Sequence, residues 1–580
     1  MNTESRSSSL PNPNRPAQHK ELDQAMGCVH EGSVRFLGIN YAEKAMLIRN
    51  LIPRATSLAE RWVQESCKAK GIDARSALAG EEWLAGPVVT VRNMRLLAES
   101  LEKLALNQGM PFDHLPMRER SDGKCEVDVF PTSKFDAMLF KGFTATAVLR
   151  SKSPQFGYYR SILEPNRIGT PICVVLGAGN VSSIPAMDVL YKLFVEGKPC
   201  VLKMNPVNAY LGPIFELMFG PLIELDFLRI VYGGADVGEY LCKHRLAGEV
   251  HITGSDATHD TIVWGPPGAE RARRKAANEP LLEVPITSEL GNVSPVMIVP
   301  GKYSLQELVA VASNVASMVM NNASFNCNAA KMLVTAQQWP QRTIFLNLLR
   351  GMFRSVPPRK AYYPGAHQRF LQLVGSRDKG DVFFGSDNKV GDTALPWTLI
   401  SGLGSTEEDE ALFRTEPFCS ILSETALPGN DEFDFMLAAT EFCNNVLWGT
   451  LNACIMIAPA SQKDAMVASA LDRTIDELHY GTVSVNQPPW LGYGFVSTPW
   501  GGYPGATLHD PQSGLGWVHN TYMLGNIEKS VIRAPLVVSP KPAWLYNNRA
   551  ARDIGRKLVA FEAEPGWLKI PGIVLSAFRG

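Results

Sequence analysis

Cys327 lies in the stretch ASFNCNAAKMLVT, between Asn326 and Asn328 and just before an apolar run. A thiol in that position is either a small core residue or a nucleophile, and it attacks carbonyls only as the thiolate. A free cysteine ionises near pH ~8.5, so a reactive one needs a nearby base or a field that favours the anion. The chain carries ten cysteines: Cys28, Cys67, Cys125, Cys173, Cys200, Cys242, Cys327, Cys419, Cys443 and Cys454. They form no C-x-x-C pair, and several sit in apolar runs such as ICVVLG, which fits reduced core thiols rather than a disulfide framework or a zinc site.

A second candidate chemistry is dinucleotide binding. Gly177 and Gly179 in VVLGAGNVSSIP follow an apolar strand pattern, but Ser182 stands where G-x-G-x-x-G needs its third glycine. Neighbouring segments add weight to the fragment. Asn180 comes just after that strand, Lys203 ends the next in VLKMNP, and Gly254 and Ser255 end another in VHITGS. Three strand ends therefore offer small or polar groups along one sheet edge, where a dinucleotide would lie. His251 and His259 are close in sequence, yet neither has the second histidine or carboxylate spacing of a metal site, so no metal is expected.

These residues need rigid elements to hold them. From 170 the chain alternates strand-like and helix-like segments: ICVVLG, IPAMDVLYKLFVEG, PCVLKM, PIFELMFGPLIEL, FLRIVY, DVGEYLCKHRL and EVHIT. Such alternation predicts a parallel sheet with helices on both faces. A second alternating region begins near 283 with EVPITSEL and PVMIVP. It continues with a helix whose Leu305, Leu308, Ala312, Val315 and Val319 form one apolar stripe, and then with AKMLVT. Met94, Leu97, Leu101 and Leu104 mark a further amphipathic helix, and Ile554, Leu558 and Phe561 another in a C-terminal extension with a packing role. No repeat of 20 to 50 residues is evident.

Composition sets outer limits. The 580 residues, 45% hydrophobic and with a formal net charge of −1, predict several packed units and no general attraction to nucleic acid or acidic lipid. The basic run at Arg271 to Lys275 reads as a solvated face. No secretory signal and no apolar run of membrane-spanning length is seen, so a cytoplasmic protein without a membrane partner is expected.

Nine pieces in order, VVLGAGN, VLKMNP, GGADVG, HITGS, SELGN, FNCNAAK, EPF, GTVSVN and PWGGYP, together resemble the aldehyde dehydrogenase superfamily over roughly residues 160 to 535. The resemblance implies an α/β fold with two parallel-sheet domains, one binding the cofactor and one catalytic, and a small strand-rich oligomerisation segment. The boundaries expected are a disordered tail over 1–25, an NAD(P)-binding domain over 26–290, a catalytic domain over 291–485, a returning segment over 486–534 and an extension over 535–580. The resemblance implies oxidation of an aldehyde to a carboxylic acid with NAD or NADP, with Cys327 as nucleophile through a thiohemiacetal and a thioester. Asn180 would support the oxyanion, and Glu289, 38 positions before Cys327, would activate water. Lys203, Gly254, Ser255, Glu416 and Phe418 would hold the cofactor. Phe325, Trp490 and Tyr493 would face the aldehyde, and a homodimer or homotetramer is implied.

Three positions depart from the family pattern. Pro206 replaces a glutamate that would grip a ribose 2′-hydroxyl, Asn292-Val293 replaces Gly-Lys, and a glutamate expected after the PWGGYP piece is missing. The choice between NAD and NADP stays open. So do two other outcomes, a coenzyme A-acylating dehydrogenase or acyl-CoA reductase and a catalytically silent binding protein.

Overall fold

The structure is a computed structural model that describes residues 13, 15–107, 109–154, 170–375, 381–383, 393–407 and 409–580. Its smaller sheet has five strands in the spatial order Leu228–Val231, Cys200–Lys203, Ile172–Leu176, Ala247–Thr253 and Ile286–Glu289, all parallel. Apolar residues fill both faces of these strands: Cys173, Val174 and Val175 are fully buried, as continuous V/I/L-rich runs require when helices cover both sides. Chain order reverses between Ile172–Leu176 and Ala247–Thr253. The loops that leave these two strands diverge there and open a cleft.

The larger sheet has eleven strands. Seven run parallel at its centre, with Pro295–Ile298, Met332–Ala336 and Ile421–Leu427 in the middle. The chain enters this sheet directly from Ile286–Glu289 of the smaller one, so Glu289 stands at the seam. Leu305–Met320 is the helix that the apolar stripe predicts, opened by a capping box between Ser304 and Glu307.

Two boundaries differ from the sequence reading. The helix His19–Gly38 begins inside the span read as a disordered tail, because Leu22, Met26 and Val29 are fully buried in one core cluster with Val174 and Val201 of the smaller sheet. The strands Cys125–Phe130 and Thr144–Leu149 fall within the span read as cofactor domain. They join the larger sheet instead, through antiparallel pairing of Thr144–Leu149 with Ile527–Arg533. The C-terminal helices Ala551–Ala563 and Ile570–Ala577 pack beside the N-terminal helical layer, where Glu562 forms buried ion pairs with Arg92 and Arg95 at 2.9 and 2.6 Å. Among the described residues no helix is long and apolar enough to cross a membrane.

Candidate active site

Cys327 follows the Leu305–Met320 helix through a turn in which Asn322, Ala323 and Ser324 all have left-handed backbone, with φ of 50°, 53° and 68°. Such a conformation costs about 1–3 kcal/mol per non-glycine residue, so the surroundings must impose it. A cage of polar side chains does so. The Asn322 amide donates to the carbonyls of Asn180 and Phe325 and to Asn326 Oδ1, while its own Oδ1 accepts from Lys70 Nζ at 3.0 Å and Tyr362 Oη at 2.9 Å. Its backbone N–H donates to Glu81, which Arg359 also grips. Lys70 is neutralised by a fully buried pair with Glu82 at 2.8 Å.

Asn180 is fixed by the same cage. Its carbonyl accepts from Lys70, Asn322 and Tyr362, and its side-chain amide donates to the Phe325 carbonyl at 3.0 Å. An amide nitrogen carries two hydrogens, and Asn180 lines the same cavity as Cys327.

Glu289 reaches the thiol from the other sheet: Cys327 Sγ donates to Glu289 Oε1 at 3.3 Å. Burial, and then the Asp188 carboxylate, push the Glu289 carboxyl up to about 7. Burial and the neighbouring Glu289 and Glu416 carboxylates push the Cys327 thiol up as well. The pair is therefore a thiol held protonated beside a carboxyl group whose basicity is raised, in hydrogen-bond contact with the thiol proton.

Behind Glu289 lies a stripe of polar groups. Parallel pairing sets Thr253 opposite Glu289 and His251 opposite Thr287. The helix Ile184–Phe194 covers these residues with Asp188, which accepts from the Thr253 hydroxyl at 3.1 Å and lies 3.6 Å from His251 Nε2. His251 Nδ1 is 2.9 Å from the Thr287 hydroxyl, which meets Lys192 one helical turn beyond Asp188.

Two cavities meet at Cys327 and Glu289. The first, about 810 Å³, runs over the switch point of the smaller sheet and is lined by Lys203, Gly254, Ser255, Glu416 and Phe418 together with Gly177 and Gly179. A Cβ on Gly179 would stand 2.7 Å from Asn205 Oδ1, and one on Gly291 would overlap the Glu416 carboxylate, so both glycines permit close approach of backbone to the cleft. Ser255 caps the helix Asp256–Trp264 by accepting from the Thr258 N–H, and the first residues of that helix line the cleft. Glu416 is half-buried, but its Oε1 is buried without a partner and its carboxyl is pushed up to about 7 by desolvation, which suits a carboxylate that meets ligand hydroxyls. Trp490 and Tyr493 line the second cavity, whereas Phe325 packs among the rings of Tyr362, Tyr363 and Phe418.

Comparison with solved structures places this geometry. The chain superposes on aldehyde dehydrogenase 21 from Physcomitrella patens, in complex with the reaction product succinate, with a TM-score of 0.59 over 89% of this chain and 90% of that one, at 15% identity. The chain has the aldehyde dehydrogenase fold. Lactaldehyde dehydrogenase from Escherichia coli gives 0.59 over 90% and 92% at 15% identity. The NADP-dependent glyceraldehyde-3-phosphate dehydrogenase from Bacillus halodurans, complexed with NADP, gives 0.59 over 89% and 92% at 14% identity. No family model and no curated protein sequence matches the chain.

The supports of the site around Cys327 carry no signature in the sequence. Lys70, Glu82, Tyr362 and Asp188 have no motif around them, and Lys70 meets Asn322 across 252 positions. The one available signal was Asp188 and Lys192, polar residues at helical spacing in an otherwise apolar helix pattern.

Proposed function

We propose that the protein is an NAD(P)-dependent aldehyde dehydrogenase that converts an aldehyde to a carboxylic acid through a thioester on Cys327. The observation that carries this reading is the 3.3 Å contact of Cys327 Sγ with Glu289 Oε1 where the two cavities join. Glu289 takes the thiol proton, and Sγ bonds to the aldehyde carbon. The carbonyl oxygen becomes an oxyanion that accepts from the Asn180 amide and the Cys327 backbone N–H. A nicotinamide cofactor held by Lys203, Gly254, Ser255, Glu416 and Phe418 would supply the hydride acceptor for this carbon, and loss of the hydride would leave the thioester on Cys327. Glu289 releases its first proton and takes another from water. Hydroxide adds to the thioester, the C–S bond breaks, and the acid leaves with Cys327 restored.

Lys203, Gly254, Ser255, Glu416 and Phe418 are the residues assigned to the cofactor. The NADP bound in the Bacillus halodurans enzyme supports a nicotinamide dinucleotide, and Pro206 leaves no carboxylate there to repel a 2′-phosphate. The hairpin carried by Ile527–Arg533 supports assembly as a homodimer or homotetramer, which sedimentation analysis tests. Reduced NAD or NADP followed by absorbance with an aldehyde panel tests the reaction. Turnover with the wild-type chain and its loss in Cys327→Ala are expected; full activity in Cys327→Ala would overturn the mechanism.

A further inference from the structure

The second cavity, about 480 Å³, begins at Cys327 and Glu289 and is closed by the C-terminal extension. Trp490 and Phe495 form part of its wall near the catalytic seam, and Trp544, Leu558, Ile573 and Val574 of the extension form another part. The extension is seated too tightly to be a loose appendage. A Cβ on Gly80 would stand 2.5 Å from the Cβ of Ala551, and one on Gly555 would stand 2.5 Å from the Cβ of Trp83. Among the charges on the wall, Lys70 is paired with Glu82 and Arg92 with Glu562, while Lys141 and Lys541 stand apart from these pairs, and apolar side chains make up most of the remaining lining. At the outer end the apolar character continues onto the surface, where Met138, Leu575 and Phe578 are exposed and Val574 is 36% exposed. Exposed apolar residues that adjoin an apolar passage mark an entrance for a hydrocarbon.

We propose that residues 535–580 convert this cavity into a hydrocarbon channel, and that the substrate is an unbranched aliphatic aldehyde of medium to long chain. The aldehyde carbon rests at Cys327, the chain runs along Trp490 and Trp544, and its end lies against Ile573 and Val574. The inference rests on the aldehyde dehydrogenase reading and names the substrate class of that same site. The volume holds about 16 groups of water size, and a methylene is close to that size. Each methylene moved from water into such a wall contributes up to about fourfold in affinity or in kcat/KM. Lys141 and Lys541 also line the cavity, so an ω-carboxylated aldehyde of equal length is the natural competitor.

The experiment uses the full chain and two readouts. Steady-state oxidation of alkanals from propanal to dodecanal is compared with that of an ω-carboxylated aldehyde. Calorimetric binding of alkanoic acids of the same lengths needs no turnover. kcat/KM and affinity are both expected to rise with chain length, by at least tenfold overall, and alkanals are expected to exceed the ω-carboxylated analogue. Val574→Asp, at a partly exposed position, should erase at least tenfold of the kcat/KM advantage of dodecanal over propanal; an undiminished advantage would overturn the channel. Ala577→Trp, which narrows the channel, should shift the optimum to shorter chains. A flat or falling chain-length profile, or preference for the ω-carboxylated aldehyde, would overturn the channel while propanal turnover kept the enzyme reading intact. If no aldehyde were oxidised yet long alkanoic acids bound more tightly, the enzyme reading would fall and the channel would stand.

Discussion

Glu289 concentrates the chemistry of the site at one carboxyl group. With its pKa raised to about 7 by burial and Asp188, it is half ionised near neutral pH and accepts the thiol proton only as carboxylate. Alkylation of Cys327 by iodoacetamide should therefore rise about tenfold per pH unit below pH ~7 and level off above it. A thiol independent of Glu289 would instead follow only its own elevated pKa. Replacing the base, Glu289→Gln, should lower kcat by about 10²–10⁴ without comparable loss of nicotinamide binding, as measured by fluorescence titration. Cys327, Glu289 and Asn180 were legible in the sequence because each sits in a short motif at the end of a regular element. Their electrostatic setting was not: Asp188 and Glu289 are about 100 positions apart, and only folding brings their charges together.

At the scale of elements, burial at the sheet seam raises the basicity of Glu289 most, and the helix Ile184–Phe194 adds to it through Asp188. Asp188→Asn removes a buried negative charge beside it and should move the acid limb of the pH profile downward, toward the ordinary carboxylate range. An unchanged limb would contradict that coupling. The left-handed turn before Cys327 depends likewise on Asn322. In Asn322→Ala the buried donors Lys70 and Tyr362 each lose an acceptor, so urea unfolding should show a loss of about 1–3 kcal/mol. The strand-helix alternation from 170 onward read correctly because period and length were local signals. The cage around Asn322 did not, since Glu82 and Tyr362 lie in segments that bear no mark of their partners.

Across the whole molecule, two sheets follow one another at the chain crossing between Glu289 and Pro295, and helical residues from near both ends of the chain line the cavity beside it. The Glu562 carboxylate, buried between Arg92 and Arg95, ties the C-terminal helix to the N-terminal layer. Glu562→Ala leaves two buried guanidinium groups short of a partner and should cost about 3 kcal/mol, measured as a lower urea midpoint. The role of the extension was opaque in sequence because its amphipathic pattern shows a buried face without naming the surface it meets. The sheet that takes up the hairpin Cys125–Phe130 and Thr144–Leu149 was not legible for a related reason: its antiparallel partner Ile527–Arg533 lies about 380 positions away. The central claim is that Cys327 carries the acyl group. The most direct test is intact-protein and peptide mass spectrometry of the wild-type chain quenched in acid within its first turnovers after mixing with an aldehyde and NAD or NADP. An adduct of the aldehyde less two hydrogens on the Cys327 peptide is the predicted result; turnover without that adduct, or an adduct on another cysteine, would contradict it.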